Sequence, residues 1–193
     1  MSQVLVYNAP VNGAINACSD CSGDSCCAVI RPGGTIEPPF LTAADMASIM
    51  AETGLQPEVF SERKKNPSTG ADIYFLKVDP GRRTGCMFMN EHNGRCGIYE
   101  TRPVDCRLFP LDVKKFDSHY YWVCYEYTPC NLSRSDMEAL MAERQKALAC
   151  FAEELENYAT FPLLGMEELK YEILGPIDKP TTMRLNKSIT TAR

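Results

Sequence analysis

No stretch of the 193 residues approaches the ~20 consecutive apolar side chains that cross a bilayer, so no membrane span is expected. Basic residues are in deficit, 20 against 25 acidic, and the formal net charge is −5. That balance argues against nucleic acid or an anionic membrane as the main partner. Histidine is scarce: His92 and His119 are the only two. With no serine–histidine constellation there is no hydrolase site to propose, and no glycine-rich loop follows a strand-like run to hold a nucleotide. The opening residues lack a basic region and have only a brief apolar stretch, a poor signal peptide. The expected localisation is therefore cytoplasmic, in a reducing compartment.

Cysteine, in contrast, is abundant: ten residues, at Cys18, Cys21, Cys26, Cys27, Cys86, Cys96, Cys106, Cys124, Cys130 and Cys150. Disulfides do not persist in a reducing cytosol, and adjacent Cys26 and Cys27 are awkward partners for each other. Thiolate is a soft ligand, and the pair Cys18 and Cys21 can grip one metal ion from a single turn. The density and clustering point to metal binding.

The pattern along the chain predicts an α+β fold: a small irregular cysteine-rich core with short strands, flanked by helices and a C-terminal extended arm. The first 40 residues read as irregular structure. Thr42 to Thr53 reads as a helix, capped by Thr42 with Asp45 three residues on, striped by Met46, Ile49 and Met50, and stopped by Gly54. Glu62 to Gly70 reads as a polar loop and Ile73 to Val78 as a strand. Cys86–Met89 and Arg95–Tyr99 are strand candidates joined by a hairpin loop at Asn90–Gly94, and His119–Cys124 is a third. A long helix is predicted from Ser133 to about Tyr158 and a short one over Met166–Leu174, stopping at Gly175-Pro176. One domain is expected over residues 1–174, followed by an arm over 175–193. The arm is basic on an acidic chain and still carries Ile177, Met183, Leu185 and Ile189, so it is expected to bind a partner protein or subunit.

The candidate ligands are Cys18, Cys21, Cys26, Cys27, Cys86, Cys96, Cys106, Cys124 and Cys130. Adjacent side chains in extended backbone face opposite ways, so Cys26 and Cys27 are not expected to serve one metal equally. Cys86 and Cys96 flank the hairpin and can end side by side; with Cys106 and the N-terminal group they would close one four-thiolate site. Cys124 and Cys130 could complete a second, although Cys124 reads equally as core, and Cys150 reads as a small buried hydrophobe. Arg102 and Arg107 flank Cys106, where a guanidinium offsets the negative charge of a thiolate-ligated centre; the plain alternative is a surface pair with Glu100 or Asp105. Structural zinc favours two close cysteine knuckles, and only one Cys-x2-Cys is present. Iron–sulfur clusters accept ligands from separate loops, so an iron–sulfur cluster, 4Fe–4S, is favoured over zinc.

Cys18-x2-Cys21-x4-Cys26-Cys27, then Cys86-Met-Phe-Met and Gly94-Arg-Cys96-Gly-Ile-Tyr99-Glu-Thr-Arg102-Pro103-x2-Cys106-Arg107-x-Phe109-Pro110, resemble the YkgJ-type cysteine-cluster family. The resemblance runs over roughly residues 15–130 and implies chelation of zinc or iron by these cysteines. A flagellin lysine N-methylase carries a similar pattern linked to an iron–sulfur centre, so some members are enzymes. Three functions follow as expectations: an iron–sulfur protein of electron transfer or a cluster-bearing accessory subunit, a structural zinc interaction module, and a cluster-dependent methyl or group transferase.

Overall fold

The computed structural model describes residues 38–79, 85–90, 92–93, 95–126, 132–148, 152–161 and 170–177; the expected irregular segment up to residue 37 lies outside them. Strand β1 (Phe40–Leu41) leads into helix α1 (Ala43–Thr53). Thr42 caps α1 as its sequence predicts: the Asp45 N–H donates to Thr42 Oγ1 at 3.0 Å, and the Thr42 N–H returns a bond to Asp45 Oδ2 at 3.0 Å. Gly54 ends the helix in the left-handed conformation at φ 70°, which an L side chain would resist. Ile49 is fully buried, with Met46 and Met50 packed beside it.

Helix α2 (Pro57–Phe60) feeds β2 (Ser61–Lys65), which pairs antiparallel with β3 (Asp72–Leu76) in a sheet of order β1-β3-β2. The polar loop expected over Glu62–Gly70 is thus half strand. Ser-Glu-Arg-Lys-Lys has no apolar alternation because β2 is the sheet edge and Glu62, Arg63 and Lys65 face water. Charged edge strands of this kind resist further pairing. The turn that follows is organised by buried Asn66: its Oδ1 accepts from the Ser68 N–H at 2.8 Å, and its Nδ2 donates to the Asn157 carbonyl at 3.1 Å.

Alternation along β1 and β3 makes this sheet a wall between two apolar clusters. Phe40, Ile73 and Phe75 face the larger cluster, while Leu41, Tyr74 and Leu76 face the smaller. The smaller cluster also takes Ile49, Phe60 and Ile98. Next comes a hairpin of two-residue strands, β4 (Met89–Asn90) and β5 (Arg95–Cys96), shorter than the pattern suggests, and then α3 (Val104–Leu108).

Strands β6 (Leu111–Phe116) and β7 (His119–Tyr125) form a second hairpin. Strand β7 matches the strand expected over His119–Cys124, whereas β6 is unexpected: its inward Leu111 and Val113 are followed by Lys114 and Lys115. The single long helix expected from Ser133 to Tyr158 is two: α4 (Arg134–Leu148) and α5 (Leu155–Thr160), separated by a turn at residues 152–154. The break lets α5 lie against β6, where Lys115 Nζ meets Glu156 Oε1 at 2.5 Å and Tyr158 joins the larger cluster.

The helix expected over Met166–Leu174 is also corrected: Tyr171–Ile177 is strand β8, antiparallel to β7 at the edge of the order β6-β7-β8. Gly175 and Pro176 therefore lie inside a strand instead of ending a helix. Proline is tolerated because the strand is an edge, and the register slips by one residue opposite Trp122/Val123. The predicted arm accordingly loses Gly175–Ile177 to the sheet, with Ile177 buried in the larger cluster; residues 178–193 lie outside the described residues. The class is α+β, with three small antiparallel sheets among the described residues. Both described clusters are aliphatic and aromatic, and Cys86, Cys96 and Cys124 sit at their margins. Among the described residues no helix is long and apolar enough to cross a membrane.

Replacing Asp45 by alanine removes the α1 capping box and leaves the buried Val104 N–H, which donates to Asp45 Oδ1 at 3.0 Å, without an acceptor. The expected loss in urea unfolding is about 2–4 kcal/mol. A loss below about 0.5 kcal/mol, the scale of a neutral surface change, would contradict this account of the fold.

Candidate metal centre

Four of the candidate ligands lie among the described residues, on separate elements. Cys86 is bridged to Val78, directly before the β4–β5 hairpin, and is half-buried against the smaller cluster. Cys96 lies in β5 and packs against the same cluster, opposite Met89. The two thiols therefore share a neighbourhood, but Met89 takes the cross-strand place expected for Cys86. The cause is the tight turn at residues 86–89, where the Met89 N–H donates to the Cys86 carbonyl at 3.2 Å.

Cys106 is half-buried in α3. Cys124 lies in β7 opposite Leu111, packed against the larger cluster, where a core residue would be. Cys18, Cys21, Cys26, Cys27 and Cys130 lie outside the described residues. Among the described residues no three His, Cys, Asp or Glu side chains gather into a metal-holding group. The four-thiolate site expected from Cys86, Cys96, Cys106 and the N-terminal group is thus not assembled by its described members alone. Both histidines are exposed, and the His92 N–H donates to Asn90 Oδ1 at 3.0 Å in the hairpin turn.

What holds Cys106 is well defined. The Val104 N–H at the start of α3 donates to buried Asp45, and the Phe40 N–H donates to Asp105 Oδ2 at 2.8 Å. The helix is pinned to α1 and to β1 by one carboxylate on each side of it. Arg107 Nη2 stands 3.5 Å from Asp45 Oδ1, and Arg102 lies over the Tyr99 ring at 3.9 Å while its Nη1 donates to the Tyr99 carbonyl at 2.9 Å. Neither arginine makes the surface pair with Glu100 or Asp105 that its sequence position allows. Instead each guanidinium is anchored by an outer nitrogen, and its Nε is buried with no hydrogen-bond partner among the described residues. The hydroxyl of Thr101 is buried and unpartnered as well.

These orphaned donors suit a net anion, and a thiolate-ligated metal is one, because the thiolates outnumber the charge of the ion they hold. The donor chemistry around Cys106 fits such a centre. The capping role of Asp45 is legible in the sequence, whereas its contacts with Val104 and Arg107 and the burial of the Thr101 hydroxyl come from the fold.

Behind α3, Tyr158 Oη lies 2.9 Å from Asp105 Oδ1 and 2.6 Å from Asp112 Oδ1. A phenol has one proton and serves one carboxylate at a time. Burial, followed by the charge of Asp112, pushes the Asp105 carboxyl up to about 6. Burial opposes ionisation of Asp112 too, but Lys114 and hydrogen bonds from Tyr158, Tyr125 and the Val113 N–H outweigh it and hold Asp112 below its ordinary value. Below about pH 6, then, a protonated Asp105 supplies the second proton of the triad. Burial and the two carboxylates push Tyr158 well above its usual value.

A family model, CxxCxxCC, described as "Putative zinc- or iron-chelating domain", matches residues 17–125. No solved structure matches the chain.

The raised Asp105 predicts a pH dependence. The folded state holds this proton more tightly than the unfolded chain does, so the contribution is present below the ordinary carboxylate value of 3.8 and is lost as pH rises towards 6. At most about 3 kcal/mol is involved, at about 1.4 kcal/mol per pH unit of displacement. Half-buried Glu154, also raised, acts in the same direction, so the difference between wild type and Asp105→Asn isolates Asp105. Denaturant midpoints from pH 4 to 7 are expected to fall less in Asp105→Asn than in wild type. Parallel curves would refute the assignment.

Proposed function

The chain belongs to the CxxCxxCC family of zinc- or iron-chelating domains, and from that premise we propose that its cysteines hold an iron–sulfur cluster of the 4Fe–4S type. The protein then serves electron transfer, or is the cluster-bearing accessory subunit of a larger assembly. The observation that carries this reading is the presentation of thiols one at a time from separate elements. Cys86 precedes the hairpin, Cys96 lies in β5 and Cys106 in α3, while both histidines stand exposed. Zinc knuckles draw paired ligands from one turn, whereas clusters accept single ligands from dispersed loops. One thiol of the N-terminal group Cys18, Cys21, Cys26 and Cys27 completes a four-thiolate set with Cys86, Cys96 and Cys106 in this reading, leaving thiols to spare. Such a cluster supplies one-electron chemistry when bound. This chain's own part is to supply thiolates, to balance their charge through Arg102 and Arg107, and to shelter the ligands against the smaller cluster.

The partner is proposed to dock on residues 178–193, which carry Met183, Leu185 and Ile189 among Lys179, Arg184, Lys187 and Arg193. A truncation after Ile177 keeps β8 intact and tests this contact cleanly; co-purifying proteins are expected to be lost while the metal is retained.

Anaerobic purification with iron and acid-labile sulfide analysis decides the central claim. A brown protein that bleaches reversibly with dithionite is expected, and alanine at Cys96 or Cys106 should abolish the colour. A colourless protein with stoichiometric zinc would overturn the iron–sulfur reading in favour of a structural zinc module, whose fold a chelator would melt.

A further inference from the structure

Among the described residues, four buried side-chain donors lack a hydrogen-bond partner: Thr101 Oγ1, Arg102 Nε, Arg107 Nε and Arg144 Nε. Buried unpaired donors are costly and rare, so three within seven residues call for a cause. Those three bracket Cys106, and the turn that carries Thr101 starts directly after Cys96, with the Thr101 N–H donating to the Ile98 carbonyl at 3.1 Å. Each arginine is fixed independently of any ligand: Arg102 by the Tyr99 ring and carbonyl, Arg107 by Asp45. These contacts use an outer nitrogen or the face of the guanidinium and leave each Nε unsatisfied. The fold thus buries three donors on the segment around Cys106, and the described residues offer none of them an acceptor.

We infer that Thr101, Arg102 and Arg107 form a preset outer layer for the negative charge of a thiolate-bound metal at Cys106, raising the affinity for the metal and setting the potential of a redox-active one. The inference rests on the metal-binding reading above and adds which residues outside the thiolates control the centre. Asp45 is a positioning residue in this layer: it holds Arg107 and, through the Val104 N–H, the helix that carries Cys106. The two arginines are not interchangeable with lysine, because the spare donor is the Nε of a planar fork and a lysine offers only a point charge.

The test uses the full chain, loaded anaerobically with zinc and titrated against a chromophoric chelator, so that affinity is read without any activity. Arg102→Gln and Arg107→Gln are expected to lose about 10- to 100-fold in affinity, the usual scale for groups that support metal ligands. Arg107→Lys should recover part of that loss through its charge. Thr101→Val, nearly isosteric, should lose affinity with no change in the far-ultraviolet circular dichroism of the loaded protein. It decides the matter if a glutamine variant fails to fold.

In the iron-reconstituted protein, Arg107→Gln should shift the midpoint potential to more negative values, since the reduced centre carries the extra negative charge. Unchanged zinc affinity in Thr101→Val and in the glutamine variants, with a wild type that binds zinc, overturns this inference and leaves the proposed function standing. A wild type that takes up neither zinc nor iron overturns both.

Discussion

The carboxylate of Asp45 is the constraint on which the rest of the candidate centre depends. One oxygen accepts from the Thr42 backbone and hydroxyl at 3.0 and 2.8 Å, and the other accepts from the Val104 N–H and faces Arg107. A buried carboxylate is tolerated only when its lone pairs are met, and here four donors meet them. Because those donors come from two segments far apart in sequence, satisfying one side chain fixes the start of α1 against the start of α3. Asp105 repeats the device from the other side, taking the Phe40 N–H of β1. A five-residue helix has little stability of its own. Its position, and that of Cys106 within it, is set by these two acids.

The wall formed by β1 and β3 then sorts the thiols. Cys86 and Cys96 fall to the smaller cluster and Cys124 to the larger, so the described cysteines do not form one equivalent set. The family match ends at residue 125, the last of β7, yet β6 and β7 bury Leu111, Val113 and Trp122 only together with residues that follow. Leu140, Leu148 and Leu155 from the two later helices, with Leu174 and Ile177 from β8, complete that core. The portion of the chain beyond the family match is thus structural for the portion within it.

The elements legible in the sequence were those whose signal is local. Thr42, Asp45 and Gly54 define α1 to the residue, because capping and the left-handed stop act over four residues. His119–Tyr125 is dense in strand formers and is a strand. Where the signal was tertiary, reading failed. Ser61–Lys65 carries no apolar alternation and becomes a strand only because β3 offers it a ladder. Tyr171–Ile177 contains Gly175 and Pro176, and becomes a strand only because β7 pairs with it and an edge position spares the proline. The helical period from Met137 to Tyr158 is real, but it continues across a break after which α5 packs against β6, a contact the period does not record.

By itself the sequence determined the donor chemistry: thiols in number, spaced as Cys18-x2-Cys21-x4-Cys26-Cys27 and then singly, with arginines beside Cys106. Ligand type is a property of side chains and needs no fold to be read. Tertiary structure decided which thiols share a neighbourhood, what anchors the arginines, and which donors are buried without partners. Those are properties of burial and of contacts between distant segments, such as Asp45 with Val104 and Arg107, or Phe40 with Asp105. The strength of a buried polar group depends on what the fold leaves it to bind, and a one-dimensional pattern carries no record of that.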